Sequence, residues 1–304
     1  MISRPSRYLL SVMEVRWRFQ VERRRQLLVD SVRRAQAFSV VQGAVAAAKS
    51  VFAMAVLGVT TPLAPVVLGL VAFAVYTAND IADIEEDAVN CPDHSSVVAD
   101  HTWLVGTVAL GVLGLAGALA WWGGGPVALA AALVPLVAAL LYSLPVAPGG
   151  RRLKDVFVVN TALVSLAWAA TLTAVPLALA GRGVGPVALA VCLFFLLRTF
   201  VSVETFNVRD IAGDAKAGVE TLPVVLGRGR TTRVLALFEG CTLATLVALL
   251  TVPHATLPAL FALPVMGTSL ALTSLLTGTS EPGVVCLARD AEYLLLGAVG
   301  LLFV

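Results

Sequence analysis

Carboxylates recur at four-residue intervals in two parts of this chain, and oxygen donors repeated in that way are suited to holding divalent cations. In YTANDIADIEEDAVN, residues 76–90, Asn79, Asp83 and Asp87 follow one another at steps of four, with Asp80 beside them. In FNVRDIAGDAKAG, residues 206–218, Asp210 and Asp214 repeat the interval and Asn207 lies about one turn earlier. A helix turns once every 3.6 residues, so each set is predicted to share one helix face. Carboxylates gathered in a low-dielectric bundle repel one another and normally need cations beside them. Oxygen-only donors suit Mg²⁺, which keeps several waters, takes one or two carboxylates and completes its shell with phosphate oxygens. Two facing stripes would hold about two or three such ions around a diphosphate. Arg151, Arg152 and Lys154, with Arg209 and Lys216 around the second stripe, are candidate partners for the remaining phosphate oxygens. A lone DxxxD is more often a solvated helix end. Two sets sharing an asparagine pattern favour a site.

The elements that must position these stripes are hydrophobic helices. The chain is 59% hydrophobic and only 13% charged, with a mean hydropathy of +0.91, far from the roughly 25% charged norm of soluble domains. Its apolar residues come in runs of about twenty, the length needed to cross roughly 30 Å of hydrocarbon as a helix. A membrane barrel would instead alternate apolar and polar positions, so the fold is predicted to be all-α. Runs fall near 36–60, 62–82, 101–121, 126–145, 156–178, 186–207, 232–252, 255–276 and 284–304, nine transmembrane helices in a polytopic bundle. GGGP at 123–126 and GRGVGP at 181–186 read as turns between them.

Charge placement orients the bundle. Nine of the 21 basic residues precede residue 35, which makes 1–35 a basic segment, expected to be cytoplasmic, ahead of a transmembrane domain over 36–304. The stretch lacks the apolar core and small-residue cleavage site of a secretory signal. Trp17 and Phe19 among its arginines suit either a lipid surface or a solvated tail. With the start inside, the even-numbered connections also fall inside, carrying Arg151, Arg152, Lys154, Arg209, Lys216, Arg228, Arg230, Arg233 and Arg289. The opposite side holds Arg182, and the C-terminus ends there. The long polar segments 79–100, 146–155 and 208–231 thus share one face. Lys49, midway along the first run, is the exception: it either faces an interior cavity and meets an anion or snorkels to the surface. Cys91, Cys192, Cys241 and Cys286 lack CxxC spacing and read as core residues, and His94, His101 and His254 lack ligand spacing. No nucleotide loop is present, and no nucleic-acid partner is expected.

The chain resembles the UbiA superfamily of intramembrane prenyltransferases. NDIADIEED at 79–87 looks like the family's first NDxxDxxxD motif, and RDIAGD at 209–214, followed by KAGVETLPVVLG, like its second DxxxD region. LLYSLPVAPGGRRLKD at 140–155 is similar to the family's Tyr-Ser…Lys segment after the fourth helix. The resemblance implies a prenyl diphosphate bound through Mg²⁺ to Asn79, Asp83, Asp87, Asp210 and Asp214, with Asp80 and Asn207 beside them. It further implies Lys154 and an adjacent arginine on the diphosphate, and a role for Tyr142. The catalytic set expected on this basis is Asp83, Asp210, Lys154 and Tyr142. One departure is NCPDHSS at 90–96, where members commonly continue with an Arg-Pro-rich stretch, so that His94 stands where a basic side chain is expected. A second is the lack of the family's frequent arginine near the start of the first helix, unless Lys49 substitutes for it.

Three functions remain open at this point. The favoured one is transfer of the prenyl group to an aromatic or otherwise nucleophilic hydrophobic acceptor, with diphosphate release. A terpene cyclase of the same superfamily would use identical metal motifs without a second substrate. A cation transporter is the reading from another class, disfavoured by the one-sided polar loops and the lack of paired broken helices.

Overall fold

The computed structural model describes residues 39–90 and 92–304, the side chains at 86, 87, 90 and 92–94 apart. The basic segment 1–35, Asp87 and His94 as side chains, and Cys91 therefore lie outside the described residues. Eleven α-helices follow in order: α1 Val40–Leu57, α2 Leu63–Ala82, α3 Ile84–Asn90, α4 Pro92–Asp100, α5 Thr102–Ser143, α6 Val159–Leu179, α7 Pro186–Ala217, α8 Leu222–Leu226, α9 Arg228–Leu249, α10 Thr256–Leu275 and α11 Pro282–Leu301. Two short 3₁₀ turns, Pro148–Gly150 and Leu153–Asp155, join α5 to α6. The fold is the expected all-helical membrane bundle.

Among the described residues, seven helices are long and apolar enough to cross a bilayer. The difference from the nine expected has two physical sources. α5 spans 42 residues, about 63 Å if straight and twice the hydrocarbon thickness, but it breaks at Gly125 (φ 65°, ψ −156°), a conformation open to glycine, with Pro126 beginning the second half. α11 is 20 residues long but carries Arg289, Asp290 and Glu292, all buried, so its composition hides its length.

Helices adjacent in sequence pack on one another: α1 on α2, α2 on α5, α5 on α6, α6 on α7, α7 on α9, α9 on α10 and α10 on α11. α11 then returns to α1, which closes the circuit. The core inside it is built from Phe52, Leu68, Leu172, Phe194, Phe195, Tyr293 and Leu296, all essentially inaccessible. A second cluster of Phe200, Val208, Leu222, Leu235, Leu276 and Val285 lies beneath the second acidic stripe and fixes the outer turns of α7. The exterior is apolar instead, with Trp103, Leu110 and Trp122 exposed by 72–82%, as lipid contact allows. Trp103 and Trp122 are separated by about 28 Å along the first half of α5, close to the roughly 30 Å between the aromatic belts of a bilayer.

Deep between α7, α9, α10 and α11 lies a charge lattice that the composition concealed. Arg198 pairs with Glu239 at 3.2 Å and Glu292 at 3.1 Å, and Arg289 pairs with the same two carboxylates at 3.0 Å each. Both arginines also donate to Ser269 Oγ. Two cations facing two anions leave no net charge, which is how ionised groups are tolerated out of water. Arg289 was expected among the inner-face cations; it is instead completely buried, held by Glu292 one turn on in α11 and by Glu239 of α9, 50 residues away in sequence. Lys49 is therefore not the lone charge at depth. Cys286 is a core residue as expected and Cys192 is half-buried, whereas Cys241 is exposed on α9.

Candidate active site

The first stripe forms where α2 stops. Asn79 and Asp80 are in its last turn, and Asp83 is the residue that ends it, at φ −111° and ψ 17°, its amide still donating to the Asn79 carbonyl at 2.9 Å. A new helix, α3, begins at Ile84. The expected single helical face from Asn79 through Asp87 is thus broken at Asp83, and Asp87 belongs to the second helix. Breaking there allows α3 to lean against α7, which carries the second stripe. Ser95 Oγ secures the polar segment by donating to the Ile84 carbonyl at 2.6 Å.

α7 runs unbroken for 32 residues from Pro186 to Ala217, about 48 Å, so its final turns emerge from the bilayer carrying Asn207, Arg209, Asp210, Asp214 and Lys216. Arg209 grips Asp210 with two bonds of 2.7 Å. Asp214 accepts from Thr221 Oγ1 at 3.2 Å, and Lys216 is exposed. Asn207 donates to Thr161 Oγ1 at 3.5 Å, and that hydroxyl donates to the fully buried Glu204. Glu204 is a neighbour of the site that sequence spacing did not single out, since it lies inside an apolar run.

The loop after α5 supplies the bases. Lys154 is 2% exposed and places Nζ 2.6 Å from Asp83 Oδ1. Its turn is shaped by Asp155, which accepts from the backbone amide and the guanidinium of Arg152 at 2.7–3.2 Å. Burial alone would raise the Asp155 carboxyl, but the hydrogen bonds and charge of Arg152 outweigh it and hold the group below its ordinary value. Arg151 meets Glu220 at 3.3 Å, both half exposed. The buried amide of Asn160 clips the two loops together, donating to the carbonyls of Lys154 and Glu220 at 3.4 Å each. Tyr142, half-buried in the last turn of α5, borders this loop.

The three polar segments therefore meet at one mouth of the bundle. Among the described residues no three acidic, histidine or cysteine side chains approach closely enough to hold one ion by themselves. The four described carboxylates of the stripes are engaged instead by a base or hydroxyl: Asp83 by Lys154, Asp210 by Arg209, Asp80 by Ser39 at 2.9 Å and Asp214 by Thr221. Ser39 is another member that spacing missed, as its partner is 41 residues away.

Below the mouth, a narrow cleft is lined by Gln42, Val45, Ala46, Lys49, Tyr76 and Trp168. Lys49 faces inward, its Nζ 3.8 Å from the centre of the Tyr293 ring. Of the two placements open to it from sequence, the interior one holds.

An all-helical integral membrane protein with acidic and basic side chains converging at one mouth is the class these features define. The chain belongs to the UbiA prenyltransferase family, whose sequence pattern matches residues 37–283. A digeranylgeranylglyceryl phosphate synthase from Methanopyrus kandleri is 32% identical over 191 residues, covering 60% of this chain and 64% of that relative's length. The structure of a UbiA homolog from Archaeoglobus fulgidus bound to DMAPP and Mg²⁺ aligns with a TM-score of 0.62 at 17% identity, over 88% of this chain and 98% of that one. The apo structure of a UbiA homolog from Aeropyrum pernix K1 aligns with a TM-score of 0.64 at 14% identity, over 86% and 97%. At such identities the structural likeness carries the fold.

Proposed function

We propose that the chain transfers a prenyl group from a prenyl diphosphate to an aromatic or other nucleophilic acceptor and releases diphosphate, with Mg²⁺ as its cofactor. Asn79, Asp80, Asp83, Asp87, Asn207, Asp210 and Asp214 are the proposed metal ligands, and Arg151, Arg152, Lys154, Arg209 and Lys216 the diphosphate partners. The observation that carries this reading is the pairing of Asp83 with Lys154 and of Asp210 with Arg209. The two bases next to the acidic stripes are of the kind a diphosphate needs, and the oxygen-only acids are of the kind Mg²⁺ accepts. Family membership and the Mg²⁺- and DMAPP-bound neighbour support the same assignment.

In the proposed reaction the bond between the allylic carbon and the diphosphate oxygen breaks, its electron pair leaving with the diphosphate. Bound Mg²⁺ would stabilise the charge that grows on this leaving group. Lys154, shielded at 2% exposure, adds a fixed positive charge in a medium where it is worth more than in water. The apolar walls keep water from the allylic cation. The acceptor forms the new carbon bond and sheds its proton, with Tyr142 at the site's border. The mouth is proposed to face the cytoplasm, with the C-terminus on the opposite side.

A two-substrate reaction is favoured over cyclisation by the polar cleft at Lys49, since a cation-cyclising wall is better left apolar. The test is mass spectrometry of lipid-soluble products from a panel of prenyl diphosphates, with and without phenols. Prenylated phenol is the expected product; a cyclic terpene from the diphosphate alone would overturn transfer.

A further inference from the structure

The backbone immediately before α6 is strained. Val158, a β-branched residue, has φ 65° and ψ −34°, a setting that persists only where the surrounding contacts hold it. The turn places two polar residues, Asn160 and Thr161, at 2% and 1% exposure, between the Lys154 loop and α7. Asn160 Oδ1 accepts from the Thr161 amide at 2.6 Å while its Nδ2 clips the two loops, so the Thr161 backbone is fixed.

The hydrogen bonds beyond Thr161 run in one direction. A hydroxyl has a single hydrogen to give, and Thr161 gives it to Glu204 Oε1. Toward Asn207 the Thr161 oxygen can therefore only accept, and it does so from Nδ2 at 3.5 Å. The Asn207 amide also lies close to the Glu204 carboxyl, whose oxygens attract an NH₂ group and repel a carbonyl. With Nδ2 engaged, Oδ1 is the end left over. It accepts no hydrogen bond among the described residues, and the half-buried Asn207 stands one turn before Asp210. An amide oxygen binds a divalent cation, whereas an NH₂ group in its place would repel one.

We propose that Glu204 and Thr161 are positioning residues, whose hydrogen bonds act in series to hold the Asn207 amide with its oxygen, rather than its nitrogen, available to a divalent cation at the second acidic stripe. This deepens the prenyl-transfer reading and rests on the metal site of that reading. A merely structural carboxyl explains less. Glu204 is completely buried, and among the described residues no cation pairs with it and no hydrogen bond reaches its Oε2. Leucine would cost the bundle less at this position. Orienting Asn207 is what the carboxyl supplies and a leucine does not.

The test is an EPR titration with Mn²⁺ on the full chain in nanodiscs, in the presence of geranyl S-thiolodiphosphate, a donor analogue that resists cleavage. Lipid-only nanodiscs with the analogue serve as blank. Thr161→Val should raise the half-saturating Mn²⁺ concentration about tenfold, as loss of an outer-shell partner of a metal ligand does, and Thr161→Ser should stay within about twofold of wild type. Glu204→Leu should match Thr161→Val, because the freed Thr161 hydrogen then turns to Asn207 Oδ1. The double variant should bind no more weakly than either single one, as steps in series require. An affinity unchanged in Thr161→Val, or lost equally in Thr161→Ser, would overturn the proposal and leave the metal site standing. Should Thr161→Val fail to fold, an unchanged affinity in Glu204→Leu would overturn it in the same way. Wild-type protein that takes up no Mn²⁺ above the blank would instead overturn the prenyl-transfer reading, and this inference with it.

Discussion

Lys154 and Asp83, 71 residues apart in sequence, meet with Nζ and Oδ1 2.6 Å apart, their side chains only 3% and 13% exposed. The pair ties the loop after α5 to the end of α2 and keeps a base and an acid of the proposed site together. Removing one member of a shielded pair strands the other, at about 3–5 kcal/mol. Lys154→Met and Asp83→Asn should each lower the thermal unfolding midpoint, and the double variant should lose less than the sum of the two. Diphosphate release should fall by about 10²–10³-fold in Lys154→Met, as when one preorganised charge donor is lost. Strict additivity of the unfolding shifts would count against the pairing.

The Arg152–Asp155 fork shapes the turn that presents Lys154. Asp155→Asn is expected to lower kcat/KM by about 10–100-fold through misplacement of that lysine. Because the folded carboxyl is held below its ordinary value, its stabilisation is complete above about pH 3.9 and disappears only as pH falls through the lower folded value. A rate profile from pH 5 to 9 should therefore contain no step due to Asp155. An inflection in that window abolished by Asp155→Asn would contradict this.

Much of this architecture is legible from hydropathy and spacing. Runs of apolar residues locate most helix ends to within a few positions, although α7 continues ten residues past the expected end at 207, and polar residues cluster because only the mouth is wet. The break at Asp83 is not legible, since Asn79, Asp83 and Asp87 look equally helical in sequence. Nor are the Ser39–Asp80 and Gln42–Asp290 contacts, which depend on how α1 packs on α2 and α11. Arg289 misleads for the same reason: a single charge is read as exposed until Glu239 and Glu292 are found beside it.

The Arg198–Glu239–Arg289–Glu292 lattice joins α7, α9 and α11, and α10 through Ser269, without exposed charge. Arg289→Met should destabilise by about 3–5 kcal/mol, seen as a lower unfolding midpoint in detergent. Adding Glu239→Leu should restore part of the loss, because the lattice returns to charge balance. A further drop equal to that of Glu239→Leu alone would refute the balance.

Close backbone contact holds α11 on α1. A Cβ at Gly300 would stand 2.7 Å from the Phe52 amide nitrogen and 2.8 Å from its Cα, neither of which can move aside. Gly300→Val should lower stability by at least about 1–3 kcal/mol, as overpacking does, and should weaken the contact that brings Tyr293 to Lys49 and Asp290 to Gln42. Gly267→Ala, with open space around the added carbon, should be neutral or slightly stabilising. Equal thermal shifts for the two variants would be inconsistent with this packing.

The most direct measurement is diphosphate release from a prenyl diphosphate by the purified protein, titrated with Mg²⁺, for the wild type, Asp83→Ala and Asp210→Ala. No release is expected without the metal, a saturable rise with it, and a loss of about three orders of magnitude or more in each variant. Release that persists in chelator, or survives both substitutions together, would contradict it.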